Sequence, residues 1–447
     1  MSATRPIARV VGTGFGVAVS VGSTIGIGIL RLPAAVAQAI PHPAEIIAIW
    51  IFGGFYALAG TLQVIELGTT LPGEGGWYLY ARRAFGNYAG IIVGLGSWLG
   101  LVAALAQILV SVGDYAGLLI PRLAGRSAIV AIGALIVFGL VSRLGLRPAS
   151  LVQNIASSIE GLALAAFIVL CFLLGHHHAP TTAAHPAPLA TKGDLIRWSS
   201  LLIAIQAVIN TYDGWYAPFF FTEEDRAPTS NLPRAMLIGT STVIAIYLLV
   251  NIALLYVLPV ATIARSTLPA ADAGAAILGS ASGKVITLIS ISILLSIVNA
   301  LLLICSRIIK AMGRDGLLFR AFGSSNSQGA PTAGLYVTGA AAALLIASGT
   351  FDQLLMWSAS LAVFAYLSGY LAVAVFRRRH PEWPRPVPAW GYPWTTAFAI
   401  LVSAGFLIGI IVEDSSRAAY LAALLLGGYV LHRYLGRRAS RLPARPG

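Results

Sequence analysis

The sequence predicts an all-α polytopic membrane protein with twelve transmembrane helices, arranged as a five-plus-five inverted repeat in which helices 1 and 6 are discontinuous. Three observations predict this fold class. Hydrophobic residues make up 57% of the 447-residue chain and charged residues 10%, with a mean hydropathy of +0.83, whereas soluble domains carry about 25% charged residues. Apolar runs long enough to cross a bilayer, at about 20 residues per helix, recur along the chain. Two of these runs carry helix-breaking sequence at matching positions of the two halves.

The apolar runs are expected to be helices, because backbone polar groups in lipid must be satisfied within their own segment. They lack the alternation over about ten residues that marks an outer-membrane barrel. The first run is too long for a cleaved signal peptide, and no small-residue cleavage site follows it. The predicted spans are 10–39, 44–70, 87–116, 126–143, 149–174, 198–221, 233–259, 280–311, 332–350, 353–376, 394–412 and 416–434.

These spans divide the chain into four parts. The first inverted repeat covers 1–175 with spans 1–5, and an extracytoplasmic loop covers 176–197. The second repeat covers 198–378 with spans 6–10, and 379–447 holds the last two spans and a basic cytoplasmic tail.

The long loop and the cysteines suggest no cofactor. Histidine is a common metal ligand, so a metal site in the loop is one alternative, and a flexible loop rich in proline and alanine is the other, which we favour. Cys171 and Cys305 both lie in predicted spans, which argues against a disulfide framework. The loop histidines are His176, His177, His178 and His185.

The net charge of +13 is interpreted as an orientation signal. With both termini in the cytoplasm, most arginines and lysines fall in cytoplasmic segments, as the positive-inside rule requires. A nucleic-acid partner is therefore not expected. We expect an integral protein of the plasma (inner) membrane, surrounded by the lipid bilayer.

The two interrupted spans predict where a ligand binds. Span 1 contains GSTIGIG at 22–28, and span 6 contains NTYDGWYAP at 210–218. Five spans run from each break to the end of its own half. Interrupted segments at matching positions indicate inverted repeats with a binding site between them at the bilayer midplane. Irregular backbone is tolerated at that depth only where it lines a cavity.

The chemistry of the breaks suits a zwitterion. Unpaired N–H groups around Thr24 to Gly28, with the positive end of the following half-helix, form an anion site. Asp213-Gly214 plays the matching part in span 6, where Pro218 is expected to free the Gly214 carbonyl for a cation. A free amino acid carries both charges. The alternative is that the glycines of span 1 only allow close helix packing.

Four segments resemble the amino acid–polyamine–organocation transporter superfamily, and the third is most like its L-type amino acid transporter branch. They are VGSTIGIGILRLP (21–33), GGWYLYARRAFG (75–86), YDGWYAPFFFTEEDRAPTSNLPRA (212–235) and SIVNALLLICSRIIKAMGRDGLL (296–318). The resemblance covers residues 10 to about 320 in the order of that family. It implies the LeuT-like fold, with twelve helices and alternating access.

The resemblance also implies substrate-binding residues. The substrate carboxylate would meet Thr24, Ile25, Gly26, Ile27 and Gly28. The amino group would meet carbonyls of span 6 at Asn210, Thr211 and Asp213, with Gly214 in the break and Trp215 beside it. Three positions depart from the family pattern: Ile27 replaces a serine, Asn210 replaces an aromatic gate, and Glu160 stands where several members carry a lysine.

Intramembrane polar residues are candidates for coupling, because charged side chains are costly in lipid. Glu160 could carry a proton for symport, pair with Arg31, or make a structural hydrogen bond. Asp213 could cap the broken backbone or contact a cationic substrate group. Ser292 and Ser296 could ligate a cation such as sodium, or bond back to their own helix.

Three acids after span 6 leave a further choice open. Glu223, Glu224 and Asp225 could form a cytoplasmic gate with Arg82 or Arg83, or a solvated acidic loop, and the sequence favours the loop.

The sequence therefore predicts a secondary active transporter of neutral amino acids that works by proton symport or exchange. The proton is favoured over sodium as the coupling ion, and no other cofactor or metal is expected. The alternatives are a polyamine or cationic amino acid carrier and a non-transporting amino acid sensor. HExxH, GxSxG and GxxxxGK[ST] motifs are absent, which argues against an enzyme or a primary pump. The resemblance to the L-type branch raises the question of a heavy chain bound through an external cysteine. The loop after span 3 lacks cysteine, so a disulfide-linked heavy chain is not expected.

Overall fold

The computed structural model describes residues 11–175, 194–279, 282–348, 351–413 and 415–441. For Ile27, Ile410 and the segments 194–199, 351–358, 413–421 and 436–441 the description is limited to the backbone. The histidine-rich segment 176–185 lies outside the described residues.

Sixteen α-helices occupy the described residues, with 3-10 helices at Pro121–Leu123, Ala217–Phe221 and Arg320–Gly323. In chain order the α-helices are α1 (Thr13–Thr24), α2 (Ile27–Ala39), α3 (Pro43–Thr70), α4 (Trp77–Phe85), α5 (Asn87–Leu119), α6 (Ser127–Arg143), α7 (Leu146–Leu174), α8 (Asp194–Thr211), α9 (Pro228–Val257), α10 (Val260–Arg265), α11 (Pro269–Leu278), α12 (Ser282–Arg314), α13 (Thr332–Ser348), α14 (Phe351–Arg379), α15 (Trp394–Glu413) and α16 (Ser415–Arg441).

Helix occupies every predicted span, and the predicted interruptions of spans 1 and 6 are confirmed. Span 1 is divided into α1 and α2, whose axes are bent by 43°. Span 6 corresponds to α8, which ends at Thr211, after which the chain turns and continues as the 3-10 helix Ala217–Phe221. Gly, Asp and Pro at these positions disfavour continued helix, which is why the sequence located both breaks.

Length and composition fit a polytopic membrane protein. Within the described residues, six helices are long and apolar enough to cross a membrane: α3, α5, α7, α9, α12 and Ala359–Arg379 of α14. The pair α1 and α2 makes seven if its halves form one broken span. Shorter apolar helices, including α6 and α13, occupy other predicted spans.

The centre of the molecule is built on α5 and α12. Helix α5 packs against α4, α6, α12 and α14, and α1 packs against α7, α9 and α12. Helix α1 comes close to α7 and α12 at Gly22, where a Cβ would overlap the side chains of Gln153, Ser157 and Ser296. This glycine therefore serves close packing, as the alternative interpretation of the span 1 glycines proposed.

The connector between α14 and α15 is held to the helix bundle by one buried carboxylate. Glu66 near the end of α3 accepts hydrogen bonds from Arg377 Nε at 2.9 Å and from the Ala389 N–H at 2.7 Å. Arg385 lies 3.4 Å from the same carboxylate. The basic connector is therefore a fixed part of the fold at the predicted cytoplasmic end.

Candidate functional site

The first helix break exposes the amino-terminal end of α2. Helix α1 ends at Thr24, Ile25 closes its last turn on the Val21 carbonyl at 2.8 Å, and Gly26 is extended before α2 begins. Gly26 makes no side-chain cap to α2. The first N–H groups of a helix have no acceptor within it. The start of α2 therefore carries N–H groups of the kind that bind anions in other helices.

The second break requires glycine at position 214. Gly214 has φ +116°, in the left-handed region that side chains disfavour. A Cβ there would overlap the backbone of Ser23 and Thr24. The Ser23 hydroxyl donates to the Gly214 carbonyl at 2.9 Å, and the Ser20 hydroxyl donates to the Trp215 carbonyl at 3.2 Å. The two breaks are therefore in direct contact.

The expectation that Pro218 leaves the Gly214 carbonyl free for a cation is wrong. That carbonyl accepts the Ser23 hydroxyl and also the Ala217 N–H at 3.0 Å. The turn after α8 closes on itself through this second bond, so the Gly214 oxygen already accepts a hydrogen bond within the protein. The acceptors left for a cation in this turn are side-chain oxygens and other carbonyls.

Tyr247 of α9 joins the two breaks, and the sequence analysis did not identify it. Its hydroxyl lies 2.7 Å from the Thr24 carbonyl and 3.1 Å from the Thr211 carbonyl. Both carbonyls belong to last turns of helices, which lack intrahelical donors. Tyr247 is fully buried. A polar hydroxyl within an apolar span was the signal that could have found it.

A cavity of about 100 Å³ lies beside the two breaks. Of the predicted site residues, Ile25 and Trp215 are buried and do not line the cavity, and Ile27 is described only by its backbone. Sequence reasoning missed the walls from α5 and α12, because apolar residues in a span give no signal of a binding role. The residues that line the cavity include Ser23, Thr24, Gly26, Gly28, Arg31, Leu101, Ala104, Gln107, Asn210, Thr211, Asp213, Gly214, Tyr216, Ile297 and Leu301.

Asp213 brings a carboxylate to the cavity wall. The Tyr366 hydroxyl of α14 donates to its Oδ1 atom. The Gly214 N–H and the Tyr216 hydroxyl also face the carboxylate. Asp213 thus bonds the turn that contains it, as the capping alternative predicted, and still lines the cavity. The cavity carries one acid, Asp213, and one base, Arg31.

A second polar cluster lies behind α1. Glu160 of α7 is 1% exposed, and neither of its carboxylate oxygens has a hydrogen-bond partner among the described residues. The Ser296 hydroxyl faces it from α12. Gln153 Nε2 lies 3.1 Å from Ser296 Oγ, and Ser157 Oγ donates to the Ala18 carbonyl at 2.8 Å. The cluster therefore contacts α1 less than two turns before the break.

The structure bears on two of the alternatives for this cluster, namely the pairing of Glu160 with Arg31 and a cation site at Ser292 and Ser296. Glu160 has no ion pair within the described part of the chain, so it is not paired with Arg31. Ser292 is exposed, and its hydroxyl donates to the Leu288 carbonyl of its own helix at 3.1 Å. Ser296 is buried beside Glu160, whereas Ser292 is not brought to the cluster.

Several ion pairs lie at the end of the molecule next to the 3-10 helix Ala217–Phe221. Arg307 binds Glu224 through two bonds of 2.9 Å, and Arg314 binds Glu223 at 2.8 and 2.9 Å. Lys310 lies 3.0 Å from Glu74. The interpretation of Glu223 and Glu224 as a solvated loop is therefore wrong.

The cations of this network come from α12 rather than from Arg82 or Arg83, since Arg82 pairs with Asp315 at 2.7 Å. Positions 307, 310 and 314 are three and four residues apart, so they share one helix face. That spacing was the signal in the sequence. The Val11 N–H donates to the Glu224 carbonyl at 3.2 Å, which joins the start of α1 to the same network.

The pKa values of the two loop acids of the network, Glu74 and Glu223, are shifted in opposite directions. Burial raises the pKa of Glu74 above its usual value, and the charges of Lys310 and Arg307 only partly oppose it. Burial also acts to raise the pKa of Glu223, but hydrogen bonds from Arg314 and from the Glu74 N–H outweigh it, and the net pKa is lowered. Glu223 is therefore stabilised as a carboxylate.

Among the described residues, no group of three His, Cys, Asp or Glu side chains could hold a metal ion. The free thiols of Cys171 and Cys305 are both buried.

Comparison with known proteins agrees with the motifs. The amino acid permease family model matches residues 16–427. The chain is 26% identical over 441 residues to the serine/threonine exchanger SteT of Bacillus subtilis, covering 96% of this chain and 97% of the relative. It is 26% identical over 444 residues to the mouse b(0,+)-type amino acid transporter 1, covering 96% and 88%.

A third relative is the human large neutral amino acids transporter small subunit 2, 26% identical over 387 residues, covering 82% of this chain and 69% of the relative. These relatives are transporters and not enzymes, and they confirm the resemblance to the amino acid–polyamine–organocation superfamily and its L-type branch.

Proposed function

The chain belongs to the amino acid permease family, and from this premise we propose that it is a secondary active transporter of neutral amino acids. Transport proceeds by proton symport or exchange, with alternating access around a site between the breaks of spans 1 and 6. The relatives support the amino acid as substrate, since their names specify serine and threonine, b(0,+)-type or large neutral amino acid transport.

The contact between the two breaks is the observation that carries this proposal. Because Gly214 packs on the Ser23–Thr24 backbone, the start of α2 and the polar turn after α8 meet at one cavity. The N–H groups of Gly26, Ile27 and Gly28 would bind the substrate carboxylate. The oxygens of Asn210, Thr211 and Asp213, at the negative end of α8, would bind the ammonium group.

The size of the cavity supports a small substrate. The cavity volume of about 100 Å³ is well above the minimum of about 10–15 Å³ that one water-sized group requires, so it accommodates more than one such group. The Leu101, Ile297 and Leu301 side chains form an apolar wall. That wall favours a neutral side chain, because an unpaired charge is costly to bury.

Alternating access in this proposal uses twelve spans and the inverted repeats 1–175 and 198–378, with both termini in the cytoplasm. The ion pairs of Arg307, Lys310 and Arg314 lie at the predicted cytoplasmic end and would hold the cavity closed on that side. Separating a buried ion pair such as Arg307–Glu224 is costly, because each buried charge is left without its partner. Opening toward the cytoplasm would therefore require these pairs to separate together.

Glu160 is the proposed coupling residue. Its carboxyl is buried within a span, where a charged side chain is costly, and a change in its charge beside α1 would alter the packing of the broken helix. We favour the proton over sodium, because hard cations prefer several oxygen ligands and Ser292 is not at the cluster.

Counterflow in proteoliposomes tests the proposal. Purified protein in vesicles loaded with unlabelled alanine, serine or leucine should accumulate the same labelled amino acid from outside. A sensor would be stabilised against heat by an amino acid and show no counterflow, and that result would overturn the proposal.

The carboxylate of Asp213 in the cavity favours one second candidate, a carrier of polyamines or cationic amino acids. Putrescine competing more strongly than leucine or alanine would support it.

A further inference from the structure

A small side pocket opens next to the substrate cavity. Its volume is about 10 Å³, which is room for about one water-sized group. It shares four lining residues with the cavity, namely Leu101, Ala104, Asp213 and Tyr216. The two spaces therefore adjoin along Leu101 and Ala104, and a substrate side chain directed along these residues would approach the side pocket.

The far wall of the side pocket carries a donor with no partner. Trp77 lines the pocket and is 2% exposed, and its indole N–H has no hydrogen-bond acceptor among the described residues. A buried donor without an acceptor costs about 1–3 kcal/mol, so such groups are normally satisfied. Trp77 lines the side pocket, so a group bound in that pocket could supply the missing acceptor.

Local sequence fixes Trp77 at this position. Gly75 and Gly76 have φ +109° and +64°, and a Cβ on Gly76 would overlap the Phe220 ring. The two glycines make the turn that begins α4 with Trp77. The indole then packs against the Tyr366 and Trp215 rings, with centroids 5.2 and 6.4 Å away, so it cannot easily turn elsewhere.

Acceptors lie on the same pocket. The Ser97 hydroxyl donates to the Val93 carbonyl at 2.6 Å, which leaves its oxygen able to accept. The Asp213 carboxylate is a second acceptor. A hydroxyl group is both a donor and an acceptor, so one hydroxyl can satisfy the indole N–H and donate to Ser97 or Asp213. A methyl group would leave the indole unpaired.

From this arrangement we propose that the side pocket recognises the side-chain hydroxyl of a small substrate amino acid, such as serine or threonine, with Trp77 as the donor. The inference rests on the proposed function and adds the substrate class. A site that hydrogen-bonds a substrate hydroxyl disfavours the analogue that lacks it, because its own polar group is then left unpaired.

The experiment measures the half-saturating concentrations of L-serine and L-alanine for exchange in proteoliposomes, for the wild-type protein and Trp77→Phe. Wild type should prefer serine, and Trp77→Phe should reduce the serine-to-alanine preference by about two- to tenfold, the range expected for one hydrogen bond. Trp98→Phe is the matched control. Its indole N–H donates to Thr338 Oγ1 at 3.1 Å, and neither residue lines the side pocket. It should keep the wild-type preference.

Equal affinities for serine and alanine in the wild type, or an unchanged ratio in Trp77→Phe, would overturn the inference and leave a trapped water as the occupant. If Trp77→Phe does not fold, the comparison of serine with alanine in the wild-type protein still decides the question, because equal affinities contradict a pocket that recognises the hydroxyl. Absence of exchange with any amino acid in the wild type would instead contradict the proposed function.

Discussion

Gly214 accepts a hydrogen bond from Ser23, with 2.9 Å between the Ser23 hydroxyl and the Gly214 carbonyl, and a Cβ at position 214 would overlap the Ser23 carbonyl. The contact joins the two broken spans at the level of the cavity. Any residue other than glycine must either strain the turn or push the spans apart.

The first prediction concerns this contact. Gly214→Ala should lower the free energy of unfolding, because alanine in the left-handed region costs about 1–2 kcal/mol and overpacking adds about 1–3 kcal/mol. Substrate affinity should fall with it, since both halves of the site move. Thermal unfolding in detergent and counterflow measure the two effects. Gly133→Ala is the control, because nothing lies near its Cβ position, and a melting temperature for Gly214→Ala equal to that of this control would contradict the proposed geometry.

The second prediction concerns the Tyr247 hydroxyl, which joins the two breaks. Tyr247→Phe removes the hydroxyl near the Thr24 and Thr211 carbonyls, and a buried acceptor left unpaired costs about 1–3 kcal/mol. We expect a lower melting temperature and weaker binding of alanine by scintillation proximity. Tyr336→Phe changes an exposed tyrosine and should behave like wild type. Wild-type affinity in Tyr247→Phe would show that the Tyr247 hydroxyl does not shape the site.

The third prediction concerns coupling. Glu160→Gln keeps the shape of the side chain and removes the titratable proton, so substrate-driven proton uptake should be lost while amino acid exchange continues. A pH-sensitive dye inside proteoliposomes measures the uptake. Glu45→Gln, at an exposed carboxylate in the first turn of α3, is the control. Proton uptake that persists in Glu160→Gln would remove this residue from the coupling mechanism.

The fourth prediction concerns the pH dependence of stability. Hydrogen bonds from Arg314 and the Glu74 N–H hold the pKa of Glu223 below its usual value of 4.5 despite burial. The unfolded state therefore takes up the proton first as pH falls. Glu223 should stabilise the fold fully above about pH 4.5, and this contribution should be lost as pH falls through the lower folded pKa.

Melting curves between pH 7 and 3 test this sign. Glu223→Gln should be less stable than wild type at pH 7, and the difference should shrink at acid pH. With Glu45→Gln again as the exposed control, a difference for Glu223→Gln that grows on acidification would contradict the assigned direction of the shift.

The extent of sequence prediction differs from residue to residue. The breaks at Gly26 and Gly214 were predictable because glycine, proline and aspartate act locally on helix stability. The sequence offered Arg82 or Arg83 as partners for Glu224 and favoured a solvated loop, whereas Arg307 is the partner, on the helix face that its spacing from Lys310 and Arg314 defines. Which loop meets that face depends on how α12 packs, and no local pattern contains that information.

Polar residues within spans show the same limit. The sequence treated Ser292 and Ser296 as one pair, yet only Ser296 faces Glu160. Tyr247 was missed because its carbonyl partners lie in two other helices. The free Gly214 carbonyl was predicted from Pro218 alone, whereas a hydroxyl from α1 and an N–H of the same turn occupy it.

The sequence by itself determined a helical, lipid-compatible chain and the two points at which its helices stop, because hydrophobicity and helix propensity are properties of short segments. Tertiary structure alone decided that the two stops touch, that Trp77 and Asp213 share a pocket, and which charges pair next to the 3-10 helix Ala217–Phe221. Those outcomes depend on the rotation and distance of whole helices, which are set by the sum of many packing contacts.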